Sequence, residues 1–337
     1  MEDFYTMGIE TSCDDSCVSI LKNDRDLIVN LISSQIDIHT LFGGVVPEIA
    51  SRKHLEAINP LIDKALKDAS LSYSDIDLIS VTKGPGLMGS LLVGISAAKG
   101  LSLATNTPMI GANHIEGHIC ANYLAHRELE PPLISLVVSG GHTYLVRVDG
   151  YTDYEVIGKT RDDAAGESFD KVARKMGLGY PGGPKIDKLA KEGNPEAIDF
   201  PRVMLEKDSY DFSFSGLKTA VLNYMNNASQ KGEGFNKADV AASFQDAVVD
   251  VLVAKSMRLL EETGYDKLTL SGGVAANSRL REKLIKECER KGIQFYYPPI
   301  KLCTDNAAMI AMAGHLNYKA GEVSDNFMKV YPNLELD

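Results

Sequence analysis

Tyr5-Thr6-Met7-Gly8-Ile9-Glu10-Thr11-Ser12-Cys13-Asp14-Asp15-Ser16-Cys17-Val18-Ser19-Ile20-Leu21 reads as two strands joined by a small polar turn. Asn23-Asp24 makes the next turn, and a third strand is expected around residues 30–35. Taken plainly, residues 11–16 are a hairpin tip. Taken functionally, they are a phosphate-facing loop lined by hydroxyls and backbone N–H groups, with Asp14 and Asp15 able to hold a cation through water. The same order recurs further along the chain. Leu133-Ile134-Ser135-Leu136-Val137-Val138 is a buried-type strand, Ser139-Gly140-Gly141-His142-Thr143 a tight turn, and Tyr144-Leu145-Val146-Arg147-Val148 the returning strand. Asp149-Gly150 then turns into another strand at residues 154–158. Two halves that open with one meander and continue with alternating helices and strands imply an internal duplication. The expected architecture is α/β, with two related domains at residues 1–130 and 131–337 and their two turns facing each other across a cleft.

Between the meanders, the 3.6-residue period predicts a helix over residues 47–69, with Ile49, Leu55, Ile58, Leu61, Ile62, Ala65 and Leu66 as its apolar set and Pro60 as a kink or break. A strand at residues 76–81 runs into Gly84-Pro85-Gly86-Leu87-Met88-Gly89-Ser90 and then a small-residue helix at 91–104. That glycine turn suits an anion at a helix N-terminus, but it lacks the Gly-Lys-Ser/Thr ending of a P-loop. Residues 161–237 fit no simple alternation and read as a mostly helical insertion in the second half. A long helix follows at 239–263, then a strand ending at Ser271-Gly272-Gly273-Val274-Ala275-Ala276-Asn277. That ending is either a routine strand-to-helix turn or a place where bare backbone approaches a flat ligand. The final helix starts near Cys303-Thr304-Asp305-Asn306, with Thr304 or Asp305 expected at its cap.

His114-Ile115-Glu116-Gly117-His118 carries the most specific chemistry. Two histidines four residues apart share one helix face, and two imidazoles so placed can hold one metal ion. The bland alternative is a pair of ordinary polar residues. A metalloprotease box would put its Glu directly after the first His. Glu116 sits two residues on, about 200° round the helix and away from the metal face, so it cannot serve as a water-activating base of that type.

The composition sets limits. With 337 residues, 44% apolar and 24% charged, the chain is long enough for two globular domains. No run of 18 or more apolar residues suggests a membrane span, and the N-terminus lacks the basic and apolar regions of a signal peptide, so a cytoplasmic location without membrane contact is expected. Five cysteines (Cys13, Cys17, Cys120, Cys288, Cys303) without a Cys-x-x-Cys pair read as reduced thiols. A net charge of −11 excludes indiscriminate nucleic-acid binding; an RNA partner needs a local basic patch or a helper protein.

Three glycine-bearing turns, each at a strand end, resemble the split nucleotide site of the actin, Hsp70 and sugar-kinase superfamily. With the histidine box added, the whole chain resembles the bacterial tRNA threonylcarbamoyladenosine transferase family, once called O-sialoglycoprotein endopeptidases. The resemblance rests on residues 8–15, Gly43-Gly44-Val45-Val46-Pro47-Glu48, Gly84-Pro85-Gly86-Leu87, the His-x-Glu-Gly-His box, Ser139-Gly140-Gly141-His142-Thr143, Ala164-Ala165-Gly166-Glu167, Tyr180-Pro181-Gly182-Gly183, Gly272-Gly273-Val274-Ala275-Ala276-Asn277 and Asp305-Asn306-Ala307-Ala308-Met309. It implies two actin-like domains and one divalent metal held by His114, His118 and Asp305, iron in the family's usual description, though zinc suits the same ligands. It implies that Val137, Val138, Ser139, Gly140 and Gly141 contact the phosphates and acyl group of an adenine nucleotide, ATP or threonylcarbamoyl-adenylate, and that Asp170, Gly183, Asp187 and Asn277 hold its ribose and adenine. It implies transfer of a threonylcarbamoyl group to the N6 amine of the adenosine 3′ of the anticodon, in tRNAs reading codons that start with A. The partners implied are tRNA, a paralogous actin-like subunit lacking the metal site and a small P-loop ATPase, with a separate synthase making the adenylate. Three rivals remain on the residues alone: a small-molecule kinase, disfavoured by the histidine box; a metalloprotease, disfavoured by Glu116; and an Hsp70-type binding module, for which no residues are left to form a peptide-binding domain.

Overall fold

The computed structural model describes residues 3–204, 206 and 208–336. In chain order the elements are β1 (Tyr5–Glu10), β2 (Asp15–Lys22), β3 (Asp26–Ser34), α1 (Ile36–Thr40), α2 (Pro47–Ala69), β4 (Leu78–Gly84), α3 (Met88–Thr105), β5 (Met109–Asn113) and α4 (His114–Ala125). Next come β6 (Leu133–Val138), β7 (Thr143–Gly150), β8 (Asp153–Lys159), α5 (Ala165–Lys175), α6 (Gly182–Ala190), α7 (Ser215–Gln230), α8 (Lys237–Thr263), β9 (Lys267–Ser271), α9 (Ser278–Lys291), β10 (Gln294–Tyr296) and α10 (Ala307–Lys319). They form two compact units. One comprises Met1–Pro131, Gly150–Tyr154 and Pro298–Asp337; the other comprises Pro132–Asp149 and Glu155–Tyr297. The chain divides at residue 131, but the last forty residues do not stay with the second half. They return to the first unit, because α10 packs on β1, β4 and α4.

Each unit holds a five-stranded sheet, in the orders β3-β2-β1-β4-β5 and β10-β9-β6-β7-β8. In the first, β1 runs antiparallel to β2 and parallel to β4, and β5 is parallel to β4. In the second, β6 runs antiparallel to β7 and parallel to β9, and β10 is parallel to β9. Read from the outer meander strand inward, the second order is β8-β7-β6-β9-β10, the first order strand for strand. This is the duplication that the two meanders announce.

In the first unit, Met7, Ile9, Val18 and Ile20 of the sheet pack against Ile58, Ile62 and Leu66 of α2 and Val93 and Ile95 of α3. Each such side chain contributes roughly 1.5–3 kcal/mol on leaving water. α2 runs uninterrupted through Pro60, where the sequence suggested a kink or break. Its buried stripe is Ala50, His54, Ile58, Ile62, Ala65 and Leu66, and Leu55, expected in the core, is exposed. The apolar pattern misleads here because the polar His54 takes a core position: its two ring nitrogens meet Ser16 Oγ at 2.7 Å and the Cys13 carbonyl at 3.0 Å. α3 is long and apolar enough to pass for a membrane span, yet one side of it packs on α2 and β4.

α10 covers the opposite face of this sheet. Its run Ala307, Ala308, Ala311, Ala313 and Gly314 keeps side chains small along the contact, and a Cβ on Gly8 of β1 would run into the Ala307 carbonyl oxygen. The helix therefore lies on the strand at a separation only glycine permits. Gly8→Ala should force α10 outward and destabilise the protein by about 1–3 kcal/mol, read as an earlier midpoint in chemical denaturation. A midpoint equal to the parent's would contradict this packing.

Candidate functional site

α4 begins where β5 ends. Asn113, the last residue of the strand, caps the helix, its Oδ1 accepting the N–H of Ile115 at 2.8 Å and of Glu116 at 3.5 Å. His114 and His118 then project from one face of a helix that is almost wholly buried. α10 opens opposite them. Its cap is Asn306, whose Oδ1 accepts the Met309 N–H at 3.0 Å, not Thr304 or Asp305. With Asn306 in that role, the Asp305 carboxylate is left to turn toward the histidines. Asp305 Oδ1 lies 3.5 Å from His114 Nε2 and 3.3 Å from His118 Nε2. One donor atom from each of the three residues falls within 4.8 Å of the others. The helices can meet this closely because of Gly117, where a Cβ would come within 2.8 Å of Ile310 Cδ1 and 3.2 Å of Met309 Cγ.

The trio fits a cation. His118 is fully buried, and neither of its ring nitrogens makes a hydrogen bond, the 3.3 Å approach to Asp305 lacking the geometry for one. An unsatisfied buried polar group costs about 1–3 kcal/mol, and a metal on Nε2 would relieve that. Burial pushes the His118 imidazolium down, so the ring is the neutral ligand that a metal needs. Burial acts on His114 in the same direction, but Asp305 and Glu10 outweigh it and hold its pKa up at about 9; a cation at Nε2 competes with that proton. Two imidazoles and one carboxylate suit a first-row divalent metal. Asp305, 23% exposed against 0% for His118, leaves the site open on its own side. Sequence reasoning gave no role to Glu10, whose Oε2 sits 2.9 Å from His114 Nδ1. The available signal was a carboxylate at the end of an otherwise buried strand.

Glu116 occupies another environment. It is buried, and the groups acting on it are Asn317 of α10, Asn113 and Lys83; burial raises its carboxyl to about 7. It is not among the three residues that converge.

In the second unit, the parallel strands β6 and β9 end side by side, Val137 opposite Ser271. Gly166 at the start of α5 packs onto the turn after β6, where a Cβ would come within 2.8 Å of Gly140 Cα, and Gly272 after β9 packs onto the Val138 carbonyl. Gly140 and Gly141 are exposed, and a Cβ on either would meet no protein atom within 4 Å. Val137 and Val138 are buried, Val137 in the ladders to both β7 and β9 and Val138 in the ladder to β7. Ser139 is also buried, its N–H donating to the His142 carbonyl at 2.8 Å, and exposed backbone begins at Gly140. Asp170, Gly183, Asp187 and Asn277 gather around α6. Asp170 Oδ1 accepts the Gly182 N–H at 2.6 Å, and Asp187 Oδ1 accepts the Ser278 N–H at 3.1 Å and its hydroxyl at 2.8 Å. Asn277 caps α9 through Leu280 N–H at 2.9 Å and donates to Gln245 Oε1 at 2.7 Å. Gly183, one turn before Asp187 on α6, has open space where a Cβ would stand.

A family model described as tRNA N6-adenosine threonylcarbamoyltransferase matches residues 26–312. The chain belongs to that family. A Clostridioides difficile (strain 630) protein of that name is 56% identical over 337 residues, covering 100% of both chains. Another, from Clostridium beijerinckii, is 55% identical over 100% of this chain and 99% of its own length. Family members are transferases that modify tRNA. Two solved structures share the fold at low identity. HypF in a phosphate- and nucleotide-bound form matches with a TM-score of 0.61 at 16% identity, covering 95% of this chain and 47% of its own. The activator of 2-hydroxyisocaproyl-CoA dehydratase from Clostridium difficile with bound ADPNP matches with a TM-score of 0.55 at 15% identity, covering 94% and 97%. The fold is thus the α/β, actin-like class that the two meanders and the resemblance imply.

Two measurements follow from this geometry. Protein purified without a tag should carry close to one equivalent of transition metal by elemental analysis. His114→Ala should lose it, whereas Glu116→Gln should keep it. Full metal content in the His114→Ala, His118→Ala double variant would remove these residues as ligands.

Proposed function

We infer that the chain takes threonylcarbamoyl-adenylate as donor and transfers its acyl group to the N6 amine of the adenosine 3′ of the anticodon, using one divalent metal held by His114, His118 and Asp305. The observation carrying this reading is the trio itself: a fully buried imidazole with two unsatisfied nitrogens, a second imidazole and a partly buried carboxylate. Iron is the metal favoured for a two-histidine, one-carboxylate set, with zinc as the alternative. Such an ion supplies Lewis acidity toward the donor carbonyl. The donor is a mixed anhydride, already activated, so no protein nucleophile is required. The amine attacks the carbamoyl carbon, the bond from that carbon to the phosphate oxygen breaks, AMP leaves with the electron pair, and the amine loses a proton. What the chain must contribute is orientation.

In the second unit, backbone at Ser139, Gly140 and Gly141 is the proposed contact for the nucleotide's phosphate or acyl oxygens. The support is that nothing in the protein itself fills the space before those two glycines or imposes on them a conformation reserved for glycine. Asp170, Gly183, Asp187 and Asn277 are the proposed ribose and adenine side. The acceptor amine is reachable only from a base that leaves its stack, which an anticodon loop permits most easily.

The partners of this reading are a paralogous actin-like subunit without the metal site and a small P-loop ATPase, all in the cytoplasm. Its support is partly charge. At −11 the chain repels a polyanion, and RNA affinity rests largely on cationic contacts to phosphate. Leu55 on α2 and Met88, Leu92 and Leu103 on α3 are exposed apolar side chains, the kind of face a related subunit covers.

Gly140→Val should weaken adenine-nucleotide binding at least tenfold in calorimetry while thermal stability is kept; unchanged affinity in a folded variant removes that turn from the site. The transfer itself is tested by single turnover with preformed threonylcarbamoyl-adenylate and tRNA, with and without the partner proteins. Modified tRNA should form in the complete set and at a much lower rate with the chain alone. No product in the complete set overturns the reaction, and equal rates overturn the partner requirement.

A further inference from the structure

Glu10 is fully buried at the end of β1, and every donor around it is drawn from a different part of the first unit. Its Oε1 accepts the Ser12 backbone N–H in the turn after β1. Its Oε2 accepts the Thr82 hydroxyl of β4 at 2.7 Å and meets His114 Nδ1 at 2.9 Å. A carboxylate has only acceptors to offer, so the proton on this side of the imidazole sits on Nδ1, 2.9 Å from Glu10 Oε2 and 3.2 Å from Ser12 Oγ. A cation at Nε2, the atom facing Asp305 at 3.5 Å, then displaces only the other ring proton. The Ser12 backbone is held at its other end as well, its carbonyl accepting the Leu87 N–H at 2.7 Å.

We propose that Glu10 is a positioning residue that fixes the His114 tautomer for metal binding and ties that ligand to the Thr11–Ser12 turn through one carboxylate. This rests on the metal reading of His114, His118 and Asp305. The argument turns on the number of donors. Three N–H or O–H groups approach two oxygens from two sides, and a glutamine cannot serve both. With its oxygen toward Ser12, its amide donates to His114 Nδ1 and drives the ring proton to Nε2, where the metal must bind. Flipped, it sets its amide against the Ser12 N–H and leaves a buried donor unpaired. Groups that orient metal-bound histidines in this way typically change metal affinity 10–100-fold when removed.

The test uses the full chain with Zn2+ as the probe, titrated in competition with a chromophoric chelator. Its variants are Glu10→Gln, Thr82→Val and His118→Ala. The tautomer is read from 15N-histidine spectra of the metal-free protein at a pH where the His114 ring is neutral, and the Ser12 N–H from hydrogen exchange. Glu10→Gln should lose 10–100-fold in Zn2+ affinity and either move His114 from the Nδ1–H to the Nε2–H form or lose protection at Ser12. Thr82→Val, which leaves Glu10 in place, should keep the Nδ1–H form, and a merely structural role for Glu10 would lower thermal stability without moving the tautomer. Zn2+ affinity within about twofold of the parent in folded Glu10→Gln overturns the proposal. If Glu10→Gln does not fold, an Nε2–H His114 in the metal-free parent overturns it and an Nδ1–H ring sustains it. If the parent binds no Zn2+, or His118→Ala binds as tightly as the parent, the metal reading itself falls, an outcome distinct from the failure of Glu10 alone.

Discussion

α10 meets β1 at Gly8, closer than a side chain would allow, and meets α4 at Gly117, where a Cβ would crowd the side chains of Ile310 and Met309. Everything at the metal site follows from that proximity. α10 enters the first unit from the far end of the chain and lies on β1 and β4 with a run of alanines and one glycine. Its N-terminus falls opposite the first turn of α4. Asn306 caps it, and the preceding carboxylate faces two imidazoles. His114 and Asp305 are 191 residues apart in sequence (305 − 114). His114 and His118 stand on the first turns of α4, and Asp305 directly precedes the Asn306 cap of α10.

The polar groups here are held by one another. His118 is enclosed without a hydrogen bond, His114 is steadied by Glu10, and Glu10 is steadied by Ser12 and Thr82. Burial disfavours charge on the Glu10 carboxyl, yet the neighbouring His114 outweighs it and keeps the group below its ordinary value. A network of this kind is sensitive to the loss of any member, since each leaves a buried donor or acceptor unpaired. The second unit shows a different economy. Asp170, Asp187 and Asn277 already serve helix starts, so whatever they offer a ligand comes from side chains that the fold has first put in place.

Much of this was legible in the chain. The two meanders gave away the duplication because a strand, a small-residue turn and a returning strand leave a period-two signature in each half. The histidine spacing put two imidazoles on one helix face, and Glu116, offset by two residues from His114, is not among the three residues that converge. Asp305 came only through family resemblance, since nothing local says that a residue near the C-terminus returns to the first unit. Two local readings failed for physical reasons. Leu55 was taken for core because hydropathy ignores that His54 can be buried when both ring nitrogens are bonded. The cap at residue 304 or 305 was misplaced because Thr, Asp and Asn all cap well, and only tertiary contact decides which one does.

The central claim is that α10 and α4 together make an oxygen-and-nitrogen metal site with no sulfur in it, although Cys13 and Cys17 lie close by, the Cys17 thiol being 3.7 Å from the Asp305 carbonyl oxygen. Burial pushes both thiols well above their ordinary pKa, which disfavours thiolate ligation. X-ray absorption at the edge of the bound metal tests this most directly. The account predicts nitrogen and oxygen scatterers at about 2.0–2.2 Å with the outer-shell pattern of two imidazoles. A sulfur scatterer at about 2.3 Å, or a spectrum without imidazole, would contradict it.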